Sequence, residues 1–143
     1  MRKIISSVLL AALALAVALP QAACAGVNIT LDHGAVWQTQ KTGAATQGFL
    51  EIHNTGSSAD MLRAWSCPLA QTTLLVGAGG KPLASLAIPA GQTVALGPHG
   101  PHLLLQNTRY TVQFGSLVPC ALTFQNAGEI GGYLNAIKAP SQP

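Results

Sequence analysis

Charge, sulfur and aromatic rings are all scarce in this chain. Only 8% of the 143 residues are charged and 5% are aromatic, and the sequence holds two methionines and three cysteines. No basic patch is present that would neutralise several phosphates, which argues against nucleic acid as a partner. No serine stands in a G-x-S-x-G turn and no four-carboxylate pattern suggests an acid–base pair, so a hydrolytic centre has no visible footing and the chain reads as a non-enzyme. Gly77-Ala78-Gly79-Gly80-Lys81 lacks the spacing of a phosphate loop and reads as a hairpin turn. Helical periodicity is absent too, beyond a turn at most.

What is present begins with an export signal. Met1-Arg2-Lys3 forms a basic start, Ile4 to Leu19 an uncharged apolar run, and Ala23-Cys24-Ala25 a cleavage signal before Gly26. Residues 1–25 are therefore expected to be a removed leader, placing the mature chain in the periplasm or outside the cell. No membrane span is expected after its removal. Cys24 offers a rival, in which cleavage falls just before it and the thiol is acylated, although Gln21 stands where an aliphatic residue is preferred. Without the leader, Lys41, Arg63, Lys81, Arg109 and Lys138 face Asp32, Glu51, Asp60 and Glu129, so the domain is nearly neutral.

Cys67 and Cys120 then remain in an oxidising compartment, with no C-x-x-C arrangement to tune either thiol. A disulfide between them is the simplest outcome; thiolate binding of a soft metal is the alternative. The bridge would close a loop of about 54 residues and stabilise the fold by roughly 4 kcal/mol in the chain-entropy model.

Along the mature chain the apolar period is two. Val27 to Leu31, Phe49 to Asn54, Leu83 to Ile88, Thr93 to Leu96, His102 to Gln106, Thr111 to Phe114 and Cys120 to Gln125 read as short strands. Asn54 to Ser58, Gly77 to Pro82, Pro89 to Gly91 and Gly97 to Pro101 supply the turns. Such a series predicts one all-β sandwich or barrel over residues 26–138, with 139–143 as a frayed tail. Trp37, Trp65 and Tyr133 read as core or edge-strand aromatics.

Four segments carry a resemblance. Gly48-Phe49-Leu50-Glu51-Ile52-His53-Asn54-Thr55-Gly56 is followed by Ala59-Asp60-Met61-Leu62. Later come Ile88-Pro89-Ala90-Gly91-Gln92-Thr93-Val94 with its continuation to Leu105, and finally Pro119-Cys120-Ala121-Leu122-Thr123-Phe124. In this order and spacing the chain resembles the periplasmic PCuAC-type copper chaperones (DUF461). The resemblance implies a cupredoxin-like Greek-key β-sandwich, copper as cofactor or cargo, and a copper-receiving periplasmic partner. It also implies a site of two histidines and two methionines, ending in an H-x-M pair.

Of that set only His102 persists. Leu104 stands at the second thioether, the first histidine falls near Leu75, and Gly77 to Leu86 holds no methionine. Leucine matches methionine in volume, so such changes keep packing while removing the soft donor. His99 and His102 remain the candidate metal ligands, sharing one Pro/Gly-rich loop, with His33 or His53 as a possible third. Glu51 and His53 alternate with Leu50 and Ile52, the pattern of a solvated sheet face. Two functions follow: a copper carrier with a modified site, or a metal-free periplasmic module that binds another protein through its sheet edge or loops.

Overall fold

A computed structural model describes residues 26–140; the leader, Cys24 and the last three residues lie outside them. The described chain is all β, as expected. Its strands are β1 (Ile29–Trp37), β2 (Thr46–Asn54), β3 (Asp60–Ser66), β4 (Ala70–Val76), β5 (Leu86–Ile88), β6 (Thr93–Leu96), β7 (His102–Thr108), β8 (Leu117–Phe124) and β9 (Gly128–Ile137). Hydrogen bonding links them in the order β4-β7-β2-β1-β9-β8-β3-β5, with β6 also on β2. This sheet curls into a cupredoxin-like sandwich. β1 and β9 join its two halves through a short parallel pairing, Ala35–Trp37 against Asn135–Ile137.

Alternation fills the interior. Leu50 and Ile52 of β2, Leu75 of β4, Leu103 and Leu105 of β7, Leu122 and Phe124 of β8, and Leu134 of β9 are at most 2% exposed. Each such side chain contributes about 1.5–3 kcal/mol of apolar burial. Cys67 and Cys120 are bonded to each other inside this core, tying the chain just past β3 to β8. The Trp65 indole donates to the Thr73 carbonyl at 3.0 Å and so fastens β3 to β4.

The polar residues of the turn motifs serve the backbone. Asn54 is buried and donates to the carbonyls of Ser58 and Ile88, while its own oxygen accepts from the Gly56 amide. Asp60 accepts from the main-chain amides of Met61, Asn126 and Ala127, joining the start of β3 to the β8–β9 turn. Buried polar groups need such partners.

Several strand readings change. Thr111–Phe114 alternates in sequence but is not a strand: Val112 plugs the core, held by the Thr39 hydroxyl, while Phe114 points outward. Of Leu83–Ile88 only Leu86–Ile88 pairs as a strand, along β3. β3, β4 and β9 were not anticipated. Among the described residues no helix is long and apolar enough to cross a membrane.

Candidate metal centre

The anticipated ligands lie on β7 and the loop before it. His99 is exposed in the Gly97–Gly100 turn, where the Gly100 amide donates to the Gly97 carbonyl. His102 is buried, with Nδ1 at 2.9 Å from the Gly100 carbonyl and its ring edge-on to Phe49 at 6.2 Å. Leu104 stands two residues on, opposite Leu74 of β4 and Gln47 of β2. Leu75 pairs with Leu103, and both are fully buried. It therefore faces the core, and Leu74 or Val76 is the β4 position that shares a face with His102. A gapped motif cannot fix that parity, because one residue of slip exchanges the faces.

The structure gathers donors elsewhere, on the outer face where β1 runs beside β2. Asp32 lies directly opposite Glu51 in the ladder, and Thr30 opposite His53. A bulge follows Asp32: three steps along β1 to Ala35 match two along β2 to Phe49. His33 occupies it in the left-handed region, with φ of 51°. Strict alternation would send His33 to the face opposite Asp32; the bulge brings it back. Its Nδ1 sits 3.1 Å from Glu51 Oε2 and 3.3 Å from Asp32 Oδ2. Gly34 follows because β1 touches β9 there: a Cβ would collide with the Tyr133 carbonyl oxygen.

His53 completes the group. Its Nε2 is 3.5 Å from Glu51 Oε2, and its Nδ1 is 2.8 Å from the Thr93 hydroxyl on β6. With its proton on Nδ1, the ring donates to Thr93 and turns the Nε2 lone pair toward the cluster, as metal-binding histidines are commonly oriented. Single ligand atoms of Asp32, His33 and His53 all lie within 4.8 Å of one another. Glu51 Oε2 touches both rings. Among the described residues, this is where three or more such donors meet.

Stability does not explain the arrangement. The side chains of His33 and Asp32 are 70% and 61% exposed, and exposed ion pairs contribute about 0–1 kcal/mol. Two carboxylates directly across a ladder repel each other. Imidazole nitrogen and carboxylate oxygen suit divalent copper or zinc, whereas monovalent copper prefers thiolate or thioether. Among the described residues both cysteines are spent in the disulfide, and the single methionine, Met61, sits on β3.

The LpqE-like lipoprotein family model matches residues 29–132. The chain belongs to the LpqE-like family. Its fold is that of PCuAC domains. The apo PCuAC domain from PmoF1 superposes with a TM-score of 0.72 at 19% identity, covering 80% of this chain and 98% of that one. The copper-bound PCuAC domain from PmoF2 gives 0.69 at 20% identity, covering 80% and 97%. The CuI-DR1885 solution structure from Deinococcus radiodurans gives 0.62 at 19%, covering 83% and 85%. At such identities the likeness speaks for the sandwich alone. No curated protein matches the sequence. In this LpqE-like chain the sequence marks His33 and His53 only as third ligands to the β7 pair and does not group them with Asp32 and Glu51, which the fold does.

Proposed function

We propose that this LpqE-like protein is an exported copper carrier that holds Cu(II) on the outer face of β1 and β2 and surrenders it to a receiving protein outside the cytoplasm. The observation that carries the reading is the convergence of His33, His53, Glu51 and Asp32 in a partly exposed cluster that the fold itself does not require. PCuAC domains that share this sandwich are named as copper-bound, which supports copper as the cargo.

Each residue then has a role. His33 and His53 supply neutral nitrogen donors, Glu51 spans both, and Asp32 offers a further oxygen. The two carboxylates neutralise a divalent ion and lose their mutual repulsion when it arrives. Thr93 keeps the His53 ring in register. Exposure at the rim favours release by ligand exchange. His102, bonded to Gly100 and packed on Phe49, serves the fold, and the exposed His99 lies outside the donor group.

The leader at residues 1–25 directs export. Cleavage after Ala25 frees the domain; the rival cleavage just before Cys24, which the family's lipoprotein description supports, would instead leave Cys24 acylated and tether the domain to a membrane surface by lipid rather than by a span.

Titrating the exported chain with Cu2+ against a competing chelator tests the reading. One equivalent is expected to bind, and to raise the melting temperature because only the folded state assembles the donors. Retention of Cu(I) in preference to Cu(II), or no retention of either, would overturn it.

A further inference from the structure

β1 and β9 pair only over Ala35–Trp37 and Asn135–Ile137. On the N-terminal side of Gly34 the two strands part, and a cleft of about 320 Å3 opens between them. That volume is at the lower end of the ~300–1,000 Å3 typical of small-ligand pockets. Asp32 and His33 form one wall, Leu31 and Leu50 the floor, and Gly131 to Tyr133 the other wall. Of the four donors, Asp32 and His33 line this cleft.

Its lining is selective. A Cβ at Gly131 would meet nothing within 4 Å, whereas one at Gly132 would meet Leu31 Cδ1 at 3.1 Å, so the wall is open at Gly131 and closed at Gly132. The floor is aliphatic, and the Tyr133 side chain at the mouth is 68% exposed. Asp32 and Glu51 already balance the charge of a divalent ion, and the Asp32 carboxylate in the wall disfavours a further anion. A neutral nitrogen donor fits the charge of this mixed lining.

Resting on the reading of this cluster as a Cu(II) site, we propose that the bound ion keeps a coordination position open toward the β1–β9 cleft, and that an external imidazole enters there to complete its sphere. The imidazole comes either from a small free molecule or from a histidine side chain offered by a partner, and in the second case the mixed complex is the intermediate of transfer. Nothing is oxidised or reduced: a metal-bound water leaves and a nitrogen lone pair replaces it.

The test uses the Cu2+-loaded exported chain, with imidazole in one arm and the peptide acetyl-Gly-His-Gly in the other, read by electron paramagnetic resonance. Coupling to an additional nitrogen is expected with imidazole; the same coupling from the peptide shows that a partner's side chain can reach the ion, and its failure assigns the cleft to free molecules. Gly131→Leu fills the cleft and is expected to abolish the additional coupling while Cu2+ affinity stays unchanged. Tyr133→Ala, which removes an exposed ring, is the second variant and weakens the adduct by up to about tenfold, an aromatic contact's share of the binding. Copper binding with no imidazole adduct, or an adduct indifferent to both variants, overturns this inference and leaves the carrier reading standing. Failure to bind Cu2+ at all overturns that reading first, and this one with it.

Discussion

Strand β2 carries two contrasting regions on one face. Near its start, Gln47 lies against Leu104, with Leu74 beyond, and His102 leans on Phe49. Near its end, Glu51 and His53 meet Asp32 and His33. The first region is poor in donors: Gln47 Oε1 is buried without a hydrogen-bond partner, and His102, held through Nδ1 on the Gly100 carbonyl, belongs to no group of three or more metal-binding side chains among the described residues. The second is wet, charged and rich in donors. The contrast teaches that His102 and Leu104 of β7 pack with β2 and β4, while the nitrogen and oxygen donors gather at the far end of β2 and on β1.

Four variants, one of them double, sharpen or break that contrast. The largest effect is expected from His33→Ala combined with His53→Ala, which removes both nitrogen donors. Cu2+ affinity should fall by more than the ~10–100-fold that losing an outer-shell partner costs. Chelator competition reads the loss, and an unchanged melting temperature of the metal-free protein confirms that only the site was touched.

Next is Thr93→Val, which leaves His53 without its Nδ1 partner. A ~10–100-fold weakening is expected, with the metal-free stability altered little. If affinity holds, His53 does not depend on Thr93 for its orientation.

In the donor-poor region the effect changes kind. His102→Ala strips a buried ring from Phe49 and leaves the Gly100 carbonyl unpaired, at a cost of about 1–3 kcal/mol in denaturant unfolding. Copper affinity should not move. A copper loss as large as that of the double variant would put the site back on β7 and erase the contrast.

The smallest effect belongs to Leu104→Met, a swap of matched volume that should cost less than ~1.5 kcal/mol. It restores an H-x-M pair in sequence, yet a lone thioether beside a buried histidine should add no Cu(I) retention in a competition assay.

How far the sequence spoke differs between fold and site, for physical reasons. β6 was legible as Thr93–Leu96 because Pro89-Ala90-Gly91 and Gly97-Pro98 punctuate it cleanly. β9 escaped notice because Gly131 and Gly132 interrupt its pattern; there they border the cleft. β3 and β4 lack regular alternation: Arg63 and Thr72 face outward while Trp65 packs against the core, so no period of two stands out. The cysteine pairing was legible from compartment and number alone.

The donor cluster could not be read in the same way. Asp32 and His33 are adjacent in sequence, so a regular strand would set them on opposite faces; only the bulge and the left-handed backbone at His33 unite them. Glu51 is brought to Asp32 by the β1–β2 register, a property of the whole sheet. Short-range pattern sees Glu51 and His53 as a solvated face, which they are. What it cannot see is the neighbouring strand.

The central claim, that copper sits on β1 and β2 and not on β7, is tested most directly by the nitrogen coupling in the electron paramagnetic resonance spectrum of the Cu2+-loaded chain. Two imidazole nitrogens are expected in the unmodified protein, one after His33→Ala or His53→Ala alone, and two still after His102→Ala. Coupling that survives both single variants and disappears with His102→Ala would contradict the account.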